Sequence, residues 1–223
     1  MAVKLQGNGG VLIGGGEEAR KPLHGCNMPM SGNWYRYSGY TGTIGAALAA
    51  NSEILQFRFL SGTKTFALVH KVAFQGLGIV AVATAAGPLG FEVVPARAWT
   101  GIGSGGTRIS PANGNLKTET AIATSQVNDL GIATTGALTA GTKTLDGVSL
   151  GGVLGGVGTA AVTGYGPTSI VQPGFLYDAD GEGYQPLVCA NQEGFVVRTT
   201  HAGPAGLTYV ARFLVVWSEV TAF

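Results

Sequence analysis

Charge is scarce in this chain: Lys, Arg, Asp and Glu make up 11% of the residues, against about a quarter in an ordinary soluble domain. Thirteen basic and twelve acidic residues leave a formal net charge of +1. That balance offers no basic stripe to neutralise phosphates, so nucleic-acid binding is not expected. With so few carboxylates, the paired acids of glycoside chemistry are scarce as well. Cysteine is limited to Cys26 and Cys189, too few for a disulfide framework, and both are expected to be reduced thiols. The three histidines, His24, His70 and His201, show no metal-ligand spacing with one another or with either cysteine. No window of about 18 uninterrupted apolar residues occurs, and the first ten residues lack the apolar run of a signal peptide. Neither a membrane span nor a secretory leader is expected. No segment holds an amphipathic helical period for three turns, which removes helical fold classes.

Glycine and strand patterns fill the space. The 38 glycines are more than twice the usual share of about 7%. A surface so poor in charge points to extensive coverage in an assembly, because obligate interfaces resemble a core cut in half. The most hydrophobic stretch is the last, Leu207 to Val220. Alternation sets Leu207, Tyr209, Ala211, Phe213, Val215 and Trp217 on one face and Val210, Arg212, Leu214 and Val216 on the other, as in a central strand. With both faces largely apolar, the second is expected to meet a sheet, a loop or a neighbouring subunit.

Residues 1–50 read as an extended Gly-rich arm carrying the aromatic cluster Trp34, Tyr35, Tyr37 and Tyr40, with a short helical turn expected over Thr43 to Ala50. Residues 51–223 read as one domain of strand after strand. The candidates are Ile54 to Leu60, Phe66 to Gln75, Ile79 to Thr84, Phe91 to Trp99, Leu130 to Ala133, Ile170 to Tyr177, Leu187 to Ala190, Phe195 to Thr200 and the final strand. Turn pairs such as Ser61-Gly62, Gly87-Pro88, Asp146-Gly147 and Gly203-Pro204 separate them. The pattern predicts an all-β antiparallel β-sandwich, jelly-roll-like, with the final strand near its middle. Residues 145–166 read as a long Gly-rich loop whose Val148, Leu150, Val153 and Leu154 are unusually apolar. Such a loop is a candidate subunit contact, or else folds over its own sandwich.

Local motifs carry little chemistry. Gly101 to Gly106 matches G-x-G-x-x-G, but the helix that would hold a pyrophosphate does not follow. Gly136 to Lys143 resembles a phosphate loop with Thr and Lys exchanged, which misplaces the amine. Asp178, Asp180 and Glu182 have the spacing of half a calcium loop, yet Cys189 stands where the bidentate acid belongs, and an acidic turn is the better reading. His70 alternates with apolar residues and is expected to be a partly buried strand histidine. Cys189 has no visible activating partner. No catalytic, cofactor-binding or metal residues are assigned, and enzymatic activity is not expected.

Several segments carry a resemblance that spans most of the chain in order: Lys4 to Gly10, Glu53 to Phe59, Ala96 to Thr100, Gly105 to Thr107, Asn113 to Thr118, Gly141 to Asp146, Glu193 to Arg198 and Trp217 to Val220. Together they resemble tailed-bacteriophage virion proteins of the capsid cement or decoration type, while residues 11–40 are richer in Gly and aromatics than that pattern. The resemblance implies a particle component with no active site, located in the virion capsid and assembled in the host cytoplasm. Its expected partners are the major capsid protein and further copies of itself, as a homotrimer. The expected anchors are Trp34, Tyr35, Tyr37 and Tyr40 of the arm, with the 145–166 loop. The alternative is a tail-fibre tip, receptor-binding head or other minor virion component of similar fold.

Overall fold

The computed structural model describes residues 33–45, 48–109, 125, 127–161, 167–169, 171–179 and 185–221. The rest of the expected arm, with Cys26 and His24, lies outside them, as do Asp180 and Glu182. Among the described residues there are thirteen strands and no helix: β1 (Asn33–Tyr40), β2 (Glu53–Phe59), β3 (Phe66–Ala81), β4 (Gly87–Gly101), β5 (Gly106–Ile109), β6 (Val127–Ala133), β7 (Thr142–Leu145), β8 (Gly151–Ala161), β9 (Pro167–Ser169), β10 (Gly174–Asp178), β11 (Leu187–Cys189), β12 (Glu193–Thr199) and β13 (Thr208–Val220).

The pairing is nested. β1 lies antiparallel to β13, β2 to β12, β3 to β10 and β4 to β8. A double ribbon paired this way and rolled over gives two sheets, here ordered β1-β13-β3-β10 and, within the larger one, β2-β12-β4-β8. That is jelly-roll connectivity. β5 and β6 extend the second sheet beyond β2, β9 extends it beyond β8, and β7 and β11 attach further along β4 and β3. The last strand sits between β1 and β3, as its two apolar faces suggest.

Alternation decides what enters the core. Tyr209, Ala211, Phe213, Val215 and Trp217 of β13 are all buried against Phe57, Phe74, Phe91 and Phe195 of the other strands. Phe57 stacks on Phe195 at 4.9 Å and meets the Trp217 ring edge-on at 5.3 Å, while Phe91 meets Phe213 edge-on at 5.4 Å. Each such ring contributes roughly 1.5–3 kcal/mol by burial. The opposite positions of β13, Val210, Arg212, Leu214 and Val216, are half-buried. Gly194 is required by packing: a Cβ there would lie 1.9 Å from the Phe57 carbonyl oxygen.

Four expectations change. The arm does not run to residue 50, because Asn33–Tyr40 pairs with β13 over eight residues and belongs to the sandwich. Tyr35 and Tyr37 therefore face its core, fully buried and 8% exposed respectively. No helical turn forms among the described residues between 43 and 50, where Ile44 instead bridges to Tyr209. Ile79 to Ala81 continues β3 without a break. Finally, much of the expected 145–166 loop is a strand, β8, with seven residues paired to β4.

Candidate functional site: surface contacts and a covered outer face

The eight residues expected to make contacts fall into two groups. Tyr35 and Tyr37 are core residues, and Val153 packs partly buried against the same core. Trp34 lies on the outer face of the smaller sheet, half-buried, with its ring stacked on His70 at 4.3 Å. Tyr40 is 61% exposed and lies under the Arg212 guanidinium. Val148, Leu150 and Leu154 are 77%, 40% and 62% exposed. The structure thus leaves Tyr40, Val148, Leu150 and Leu154 open to a partner and adds Phe175, 55% exposed on β10 beside Lys71. Phe175 was legible as an apolar position of a short strand, although nothing in its spacing marks it as exposed.

The polar groups of the smaller sheet are structural. His70 Nε2 and Ser218 Oγ share a hydrogen bond of 2.8 Å beneath Trp34, and both residues are buried. Lys71 pairs with Asp178 at 3.3 Å, which places the first acid of the calcium-like run in an ion pair. Among the described residues no three His, Cys, Asp or Glu side chains converge on one point. Cys189 is a buried free thiol, pushed well above its ordinary pKa by burial.

The outer face of the larger sheet is covered by its own chain. Val94, Ala96, Trp99 and Val196 form a second small core with Leu145 of β7. Trp99 joins Val94 and Ala96 on that face despite its odd position. The left-handed Ala98 (φ 49°) lies where β4 slips two residues against β7 between Arg97 and Gly101, an irregularity of the bulge kind. A shift between Val197 and Arg198 opposite β2 does the same for Glu53.

Glu53 enters a buried polar cluster. Its Oε2 accepts from Lys143 Nζ at 2.9 Å and from Gln56 Nε2 at 2.5 Å. Gln56 Nε2 also reaches the Thr139 carbonyl at 2.8 Å, Arg108 donates to Gln56 Oε1 and to the Gly103 carbonyl, and Arg58 donates to the Trp99 carbonyl at 3.1 Å. Lys143 Nζ stands 4.5 Å over the Trp99 ring, and its side chain is 2% exposed. Burial lowers the Lys143 pKa against the opposing pull of Glu53. This cluster fastens residues 101–105 and 137–146 over β2 and β4. The G-x-G-x-x-G run therefore serves packing: a Cβ at Gly103 would collide with the Thr139 carbonyl oxygen and Gln56.

At the rim, Arg97 holds Asp146 through two hydrogen bonds of 3.0 and 3.2 Å and Glu193 through one of 3.2 Å. Its side chain is 54% exposed, so solvent screens these pairs. Replacing Arg97 with Ala should change the free energy of unfolding by less than about 1 kcal/mol, measured by urea denaturation. A larger loss would show that the rim pairs anchor the covering segment.

Compared with models of known protein families, with curated proteins and with solved structures, the chain matches none.

Proposed function

We propose that this protein is a structural component of a tailed-bacteriophage particle, binding the capsid shell as a cement or decoration protein through contacts with the major capsid protein and with its own copies. The observation that carries this reading is the run from Gly147 to Tyr177. It contains no charged residue and exposes Val148, Leu150, Leu154 and Phe175 on a jelly-roll body. An uncharged, apolar and Gly-rich surface suits broad contacts in a lattice better than it suits isolated solubility. The resemblance of the segments that follow one another along the sequence from Lys4 to Val220 supplies the particle. Tyr40 and the β8 region are the contact elements of this reading.

The test is the molar ratio of this protein to the major capsid protein in purified particles, before and after mild chaotrope. A ratio near one or a simple fraction, with shells weakening as the protein is stripped, is expected. A handful of copies per particle would overturn the cement reading in favour of a vertex or tail position.

A further inference from the structure

The buried cluster over the larger sheet brings an amine, a carboxamide and a carboxylate together. Gln56 is fully buried, Glu53 is 6% exposed and the Lys143 side chain is 2% exposed. One carboxylate oxygen, Glu53 Oε2, accepts both from the Lys143 amine at 2.9 Å and from the Gln56 carboxamide nitrogen at 2.5 Å. A nucleophile and a leaving group thus share a single base.

The carboxamide is held from both ends. Its nitrogen faces two acceptors, Glu53 Oε2 and the Thr139 carbonyl at 2.8 Å, and its oxygen faces the Arg108 guanidinium at 3.2 Å. Exchanging nitrogen and oxygen would set oxygen against oxygen on one side and donor against donor on the other. Arg108 therefore draws electron density from the carbonyl, as a donor aimed at a developing oxyanion does. The amine is prepared as well. Burial favours its neutral, nucleophilic form, and the Trp99 ring 4.5 Å away covers it.

We propose that Lys143 and Gln56 join through an amide bond between Nζ and Cδ, with release of ammonia and with Glu53 as the proton relay. The Lys143 ammonium first passes a proton to Glu53 Oε2, which removes two buried charges at once. Rotation of the unbranched lysine stem then carries the free amine to the Gln56 carbon. Its electron pair forms the new C–N bond, and Arg108 stabilises the oxygen of the tetrahedral state. The bond to Nε2 breaks as Oε2 hands its proton to that nitrogen. One further proton on the lysine nitrogen follows through the same oxygen to the departing ammonia. An ammonium side chain and a carboxamide become one secondary amide and one ammonium ion; no electron is gained or lost, and Glu53 is again a carboxylate. The way out passes Ala140, which is exposed and whose carbonyl accepts from the Lys143 amine. Until the link forms, Glu53 and Lys143 stand as the ion pair described above. Once formed, it fastens β7 to β2 covalently, and it does not depend on the particle reading.

Intact-mass spectrometry of the full-length chain, purified and held in neutral buffer for several days, tests this. The folded wild type should fall below its sequence mass by one ammonia. Tryptic digestion should then yield a branched peptide joining Gln56 to Lys143, with no cleavage after Lys143. That peptide separates the link from loss of ammonia at Asn113-Gly114. Wild type kept in urea from the outset should retain its full mass, as should Lys143→Arg, which lacks the nucleophile, and Glu53→Gln, which lacks the relay. The wild-type peptide decides the matter alone if a variant does not fold. A wild type that shows sheet dichroism and a cooperative urea transition yet keeps its full mass overturns the proposal. So does a branched peptide that joins Lys143 to Glu53 with loss of water instead.

Discussion

Replacing Lys143 with Met will lower the free energy of unfolding by about 3 kcal/mol or more, because removing one partner of a buried ion pair leaves the other charge without its compensation. Met keeps the length of the side chain and its contact with the Trp99 ring, so the loss reports the charge rather than a cavity. Glu53, 6% exposed, would retain only the Gln56 hydrogen bond among the contacts described above. Glu53→Gln should destabilise by a similar mechanism from the opposite side. The double variant should lose less than the sum of the two, with a coupling of about 1–3 kcal/mol. Urea denaturation of the four proteins measures this. If Lys143→Met costs less than about 0.5 kcal/mol, the ammonium is solvated in solution and the covering segment is held by the Leu145 and Trp99 packing alone.

That cluster was invisible in the sequence for a physical reason. Glu53 and Lys143 are separated by ninety residues, and two register shifts decide that Glu53 and Trp99 turn outward at all. A bulge adds one residue and reverses every facing beyond it, so alternation read from the sequence assigns those two side chains to the wrong side. Alternation was sufficient in β13, because the extra residues of its three register shifts against β3 fall on β3. The inward set of β13 was readable residue by residue, because β-branched and aromatic side chains recur there at every second position.

The two segments read as irregular failed differently. In β1 the alternation is present, with Tyr35 and Tyr37 inward and Trp34 and Tyr40 outward, but Gly and Pro upstream obscured it. β8 carries glycine where a strand normally shows side chains, and glycine lowers strand propensity on its own. Its ladder with β4 and the burial of Val157 order it instead. Of the contact residues in this stretch, Leu154 lies on the strand, whereas Val148 and Leu150 precede it in an irregular segment.

Above pH 10 the protein will lose stability steeply. Burial pushes the phenols of Tyr35, Tyr37 and Tyr209 above their ordinary value, Tyr37 to about 12, with the Glu219 carboxylate adding to the effect on Tyr35. A group whose folded pKa is raised contributes stability in full below its unfolded pKa and loses it as pH climbs from there toward the folded value. Each tyrosine then removes about 1.4 kcal/mol per pH unit, and three together roughly 4 kcal/mol per unit. Lys143 acts in the opposite sense but below this range, because its lowered pKa adds stability only as pH rises up to the ordinary lysine value. Against a total stability of about 5–15 kcal/mol, unfolding should follow within a few pH units, with these phenolates appearing in step with unfolding rather than ahead of it. Phenolate absorbance and urea midpoints followed on the same samples decide this. If all the tyrosines ionise while the sheets stay intact, the buried phenols have access to water. Tyr209 separates the contributions, since its hydroxyl is buried and meets no hydrogen-bond partner among the described residues. Tyr209→Phe removes that uncompensated group, so it should stabilise the protein by about 1 kcal/mol at neutral pH and reduce the alkaline slope by about a third.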